Sequence, residues 1–209
     1  MANKPHAYTR MRAVLAGSLV LGVGATMTLA AWTDSEFGQA SFSTSKFDTQ
    51  SSVNGTLFAD NATSPGATIA FDTTSMSPNT FRYGAVLVQT KIGSVAGTMT
   101  LAGATISPAG TDETTILGAA LRYRVVQSTA TCAAGLFTAG ATYVVGTFAA
   151  PVALTTAQGA VTVNLAAATP VAVGASTGLC FEVSLPATAV NSLQGKSTTA
   201  IWHITATSS

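Results

Sequence analysis

The sequence predicts an all-β fold, a jelly-roll-like β-sandwich, preceded by a cleavable N-terminal signal helix. Three observations predict it. Past residue 32 the chain is a succession of short runs rich in Val, Ile, Thr, Phe and Tyr, separated by Gly, Pro, Asn and Ser clusters. Near the end the apolar alternation is clean, with Ala200, Trp202, Ile204 and Ala206 on one face and Ile201, His203 and Thr205 on the other. At the start, basic residues precede a long uncharged run, the layout of an export leader.

In chain order, Lys4, Arg10 and Arg12 form the basic region, and residues 13–31 (AVLAGSLVLGVGATMTLAA) carry no charge. That run sits at the lower end of what spans a bilayer, so an uncleaved anchor is the other reading of it. The small residues Ala30 and Ala31 close it and favour cleavage between Ala31 and Trp32. Arg10-Met11-Arg12 is not a twin-arginine pair, which leaves the Sec route.

The chain after the leader divides into an extended segment at 32–48 and a sandwich at 49–209. Strands are expected at 40–48, 53–59, 67–72, 81–92, 97–106, 116–127, 142–149, 160–165, 179–185 and 198–207. Asn54-Gly55 reads as a tight turn. One helical turn fits 187–193, which Asn191 and Gly195 would help to end. Trp202 is a core candidate, and the Ala/Thr-rich stretch 128–169 is expected to hold the longest loops.

Charged residues make up only 8% of the 209, where about 25% is usual, so the surface must be built from Ser, Thr, Gly, Ala and Asn. Three of the nine Lys and Arg lie in the leader, which leaves six against eight acidic residues. No basic stripe interleaved with aromatics exists, and nucleic acid is not an expected partner. Cys132 and Cys180 are the two cysteines, which export would place in an oxidising setting. They allow one disulfide, worth about 4 kcal/mol on the chain-entropy model, with two buried free thiols as the other reading.

Catalytic signals are thin. Gly174-Ala175-Ser176-Thr177-Gly178 matches Gly-x-Ser-x-Gly, and Ser176, Glu182 and His203 follow in the Ser, acid, His order. That elbow requires a helix after the serine, however, and LCFEVSL reads as a strand. HExxH, paired Cys spacings, GxGxxG and a P-loop are all missing, so no catalytic residue, metal or cofactor is expected. Asp112-Glu113 reads as a solvated turn, and Arg122-Tyr123-Arg124 as a strand with two solvated arginines on one face. Asn54-Gly55-Thr56 and Asn61-Ala62-Thr63 match the glycosylation sequon, a pattern common by chance.

The stretch LGVGATMTLAAWTDSEFGQASFSTSKFDTQSS resembles the start of bacterial proteins exported with the SipW-type signal peptide, the group of the TasA and camelysin matrix proteins. It shares a Gly/Ala-rich apolar region, a closing Thr-x-Ala-Ala, an aromatic residue, and then Ala-x-Phe followed by an apolar-Asp pair. The tail CFEVSLPATAVNSLQGKSTTAIWHITATS resembles the ending of actinobacterial members.

The resemblance implies a secreted, cell-surface or matrix protein with a jelly-roll fold. It also implies processing by an ER-type (SipW-like) signal peptidase, contact with the membrane only through the uncleaved signal, and assembly into fibres. In such fibres the N-terminal strand of one subunit completes the sheet of the next. Other matrix or cell-wall components are further expected partners.

The donor strand would begin at Trp32 and carry Phe37, Phe42 and Phe47. A spacing of five keeps the phenylalanines off a single face of a regular strand, and residues 40–48 read equally as the first strand of the chain's own sandwich. Two other readings are a monomeric adhesin or binding module and a camelysin-like surface protease, the latter without a metal motif to support it.

Overall fold

The computed structural model describes residues 6–26, 40, 44–64, 66, 68–69, 71 and 75–209. The chain forms two units, Met1–Ser43 and Thr44–Ser209. The first contains α1 (His6–Thr26). Ala, Leu and Val carry this helix across Gly17, Gly22 and Gly24, each costing about 1 kcal/mol relative to alanine. Among the described residues, no helix is long and apolar enough to cross a membrane.

The second unit runs β1 (Thr49–Val53), β2 (Thr80–Thr90), β3 (Gly97–Leu101), β4 (Thr105–Ser107), α2 (Leu117–Ala120), β5 (Arg122–Gln127), β6 (Tyr143–Val145), β7 (Val152–Ala153), β8 (Val163–Leu165), β9 (Thr177–Leu185), β10 (Thr199–Ile201) and β11 (Ile204–Ser208). Short 3-10 turns lie at Ala134–Leu136 and Asn191–Leu193. The strands pair antiparallel in a six-stranded sheet ordered β1-β2-β9-β5-β6, with β7 also on β5, and in two smaller sheets, β11-β3-β8 and β10-β4. The protein is mostly β, as its residue pattern predicts.

Side chains from all three sheets meet in one apolar cluster. The large sheet contributes Val86, Val88, Tyr123, Val125, Phe181 and Val183, and the small sheets Met99, Leu101, Ile106, Val163 and Leu165. The alternation read at the C-terminus holds, because Ala200, Trp202, Ile204 and Ala206 all pack on this core. The Trp202 ring lies 5.8 Å from Tyr123 and 5.2 Å from Phe181, joining the small sheets to the centre of the large one. Strand β9 is buried on both faces from Gly178 to Leu185, which explains why LCFEVSL is nearly all apolar.

The segments 97–107 and 199–208 behave as two long strands with one irregularity. Ile201 pairs with Thr105 and Ile204 with Leu101, while Ala102 N–H donates to His203 O at 2.9 Å, so Gly103 and Ala104 together stand opposite Trp202. This two-against-one arrangement is a β-bulge. Glycine is required there because a Cβ on Gly103 would run into the Thr155 carbonyl.

Several expectations need correction. The first strand of the sheet is Thr49–Val53 rather than 40–48 or 53–59, and among the described residues of 40–48 there is only the single Lys46–Ser94 bridge. Its sequence TQSSV lacks an apolar run because it is an edge strand held by backbone pairing with β2, with only Val53 reaching the core and Ser52 buried through its hydroxyl bond to Thr56 O. Asn54 (φ 48°) and Gly55 (φ 79°) make the expected tight turn immediately after it. The expected 116–127 strand splits into α2 and β5, since Ile116 O and Leu117 O accept helical bonds before the chain extends at Leu121. Within 67–72, Ile69 and Phe71 are partly buried against the core without forming a strand among the described residues.

Gly103→Ala should lower stability by about 1–3 kcal/mol through overpacking at the bulge. Urea unfolding followed by Trp202 fluorescence checks this, with an unchanged midpoint as the contrary result.

Candidate functional site

Two constellations carry the chemistry of the second unit. One is the junction where the upstream segment enters. Lys46 bridges Ser94, and its carbonyl accepts from Val95 N–H at 2.9 Å. Asp48 O accepts from Lys91 N–H at 2.9 Å and from the Ser94 hydroxyl at 3.1 Å. Between them, Phe47 packs on the core above Gly97, where a Cβ would come within 2.7 Å of its ring. The Lys91 ammonium then ties Asp48 at 3.0 Å to Asp60 at 2.9 Å.

Lys91 holds its proton more firmly than a free lysine because of hydrogen bonds to Asp60 and Asp48. Asp60 is held below the usual carboxylate range by its hydrogen bond to Lys91. The compact unit accordingly begins at Thr44 instead of 49, and Phe47 belongs to its own chain's core. Ala31, Trp32, Phe37 and Phe42, the expected cleavage site and the rest of the expected donor strand, lie outside the described residues.

The other constellation covers the outer face of the large sheet. Register places Tyr83 of β2, Glu182 of β9 and Arg124 of β5 in one row across three strands. Arg124 clasps Glu182 with Nε to Oε1 at 2.7 Å and Nη2 to Oε2 at 3.1 Å, and the Tyr83 hydroxyl donates to Oε2 at 3.2 Å. The Arg124 guanidinium also donates to the Phe148 carbonyl and lies 5.1, 5.8 and 6.0 Å from the rings of Phe137, Phe148 and Tyr143.

The 128–142 segment is pinned over this row by the Cys132–Cys180 disulfide, with Cα atoms 5.3 Å apart. Phe137, buried in that segment, packs with Cys180 and Val126. The thiol alternative is thereby set aside.

The expectation of two solvated arginines is corrected by this arrangement. Arg122 and Arg124 do share a face, but Arg124 is 12% exposed and its partner Glu182 3%, because the loop and aromatic rings cover them. Arg122 pairs with Glu113 at 2.6 Å, while Asp112 caps the adjoining turn by accepting from Thr114 N–H at 2.8 Å and Thr115 Oγ1 at 2.8 Å.

Glu182 is thus committed to Arg124 and Tyr83, in neither case to Ser176 or His203. Ser176 stands just ahead of β9, so a strand follows the Gly-x-Ser-x-Gly stretch, and His203 is exposed between β10 and β11. Ser176 borders a recess of about 410 Å³ whose other walls include Gln127, Ser128, Thr129 and Thr142. Among the described residues, no group of three His, Cys, Asp or Glu is placed to hold a metal ion.

Asn54 and Asn61, the sequon residues, serve the fold. Asn54 Oδ1 accepts from Ala85 N–H at 2.7 Å, and Asn61 Nδ2 donates to Ser51 Oγ at 2.9 Å. The Lys91 tie and the Arg124–Glu182 pair were not anticipated. A lone Glu in the apolar strand LCFEVSL and the Arg in RYRVV were the available signals, since a charge in a central strand needs a partner.

Comparison with protein-family models, with curated proteins and with solved structures finds no match to this chain.

Glu182→Gln or Arg124→Met alone should destabilise by about 3–5 kcal/mol by leaving one buried charge unpaired, whereas the double variant should recover most of the loss. Chemical denaturation of the three variants decides this, and additive losses would contradict it. A second expectation concerns alkaline pH. Burial, joined for Tyr83 by the Glu182 carboxylate, pushes the Tyr83 and Tyr123 phenols up to about 12. A phenol raised above its unfolded value of about 10 favours the folded state fully below pH 10 and loses that contribution as pH rises towards 12. Stability should fall across that window, and ultraviolet phenolate titration should show delayed ionisation in the folded protein. Ionisation of Tyr83 and Tyr123 near pH 10 in the folded protein would contradict it.

Proposed function

We propose that the chain is an exported structural protein of the cell surface or extracellular matrix, a non-enzymatic fibre subunit. Signal-peptide cleavage after Ala31 frees a segment that adds as a strand to a second copy. The fold behind this reading is a jelly-roll-like sandwich, supported by three antiparallel sheets that share one core. The observation that carries the reading is the junction. Lys46, Phe47 and Asp48 are fastened into the Thr44–Ser209 unit, while the apolar 13–31 run and the Phe-bearing stretch after it precede that anchor.

Before cleavage the segment is tethered at the membrane, and afterwards it can reach a neighbour, so processing licenses assembly. The disulfide supports export, because such bonds persist in oxidising compartments. The low surface charge supports self-association, because copies repel one another weakly.

A second reading, a monomeric binding module, is favoured by the recess beside Ser176. Its neutral hydroxyl and amide groups suit a polyhydroxylated ligand better than an ionic one.

Because Lys46 to Asp48 belong to the folded unit, the informative truncation begins at Thr44. Protein starting at Trp32 should form filaments by negative-stain microscopy and size exclusion. Protein starting at Thr44, or bearing a short extension before Trp32, should remain folded and monomeric. Monomers from the Trp32 form would shift the assignment to the binding module.

A further inference from the structure

The sheet edges differ in how fully their backbone groups are used. On β1, Ser51 exchanges both backbone bonds with Ala59 at 2.9 Å, and Val53 O accepts from Thr56 N–H at 3.0 Å. On β8, Asn164 O accepts from the Thr177 hydroxyl at 2.8 Å, and on β6, Val144 O accepts from Gly159 N–H at 3.0 Å. These edges are closed by their own chain, the usual defence against stray pairing.

Strand β11 is different. Ala102 N–H donates to His203 O, and Ser209 N–H donates to Ala96 O at 3.1 Å, both in the β3 register. Bonded and non-bonded positions alternate along an antiparallel ladder, so Thr205 and Thr207 also bond towards β3. Ile204, Ala206 and Ser208 therefore turn their N–H and C=O groups to the outer edge, where they meet no partner among the described residues. From 199 to 208 the sequence TAIWHITATS has no Lys, Arg, Asp, Glu or Pro to blunt that edge.

We infer that the outer edge of β11 is the acceptor for the upstream segment of a second copy of this chain. This rests on the strand-addition reading above and gives it an address. The twelve residues 32–43 reach about 40 Å when extended, against a radius of gyration of about 15 Å for a unit of this size, so they span to a neighbour. Ala40 and Phe42 share one face of an extended strand. Laid beside β11 they join Ile204 and Ala206 on the core side, with Ser41 and Ser43 facing water beside Thr205 and Thr207. Main-chain bonds to Ile204, Ala206 and Ser208 supply the affinity, and the apolar pairings set the register.

The test uses protein starting at Trp32 with Ala206→Pro, which removes one outward N–H without touching the β3 ladder, as edge positions tolerate. Thr207→Lys is the second variant, placing a charge on the exposed face of the same edge. Circular dichroism and thermal melting establish that each is folded. Folded variants with at least 10-fold less polymer than the parent support the assignment. A folded variant of either kind that polymerises like the parent overturns the β11 edge while leaving strand addition standing. A parent that never polymerises removes both.

Discussion

The fold depends on β9 being buried on both faces. One face supplies Leu179, Phe181, Val183 and Leu185 to the shared core, which any apolar strand could do. The other carries Cys180, Glu182 and Ser184, and each of these must be satisfied without water. Glu182 is answered by Arg124 on the next strand and by Tyr83 on the opposite one, and Cys180 by the bond that draws the 128–142 segment across the sheet. The covering loop and the charge pair depend on each other. Without Phe137 and the loop, Arg124 and Glu182 would lie in water, where such a pair contributes little.

The same requirement, that backbone polar groups find partners, organises the periphery. Loops and hydroxyls close the edges at β1, β6 and β8, and the Lys91 tie closes the place where the chain enters the unit. Among the described residues the open groups on β11, whose one paired neighbour is β3, stand apart from this pattern. In the proposed assembly, anchoring at Phe47 and openness at β11 are complementary. A segment fastened at its base to one unit can bridge only if another unit offers unpaired backbone.

Local chemistry was legible in the sequence. Asn54-Gly55 announced its turn and the alternation through Trp202 announced its face, while the helical turn expected over 187–193 forms at Asn191–Leu193, with Asn191 at its start rather than its end. What local chemistry does not encode was missed. TQSSV is a strand because β2 pairs with it, and α2 interrupts an apolar run whose period fits helix and strand alike. Arg124 and Glu182 are separated by 58 positions, and only the register of β5 on β9 brings them together. The expected site residues before Phe47 lie outside the described residues.

The most direct measurement is residue-resolved amide hydrogen exchange along β11, comparing monomer with polymer. Strand addition at β11 predicts that the Ile204, Ala206 and Ser208 amides exchange quickly in the monomer and slow by on the order of 100-fold on assembly, while Thr205 and Thr207 are slow in both. Polymer in which those three amides exchange as fast as in the monomer would contradict it.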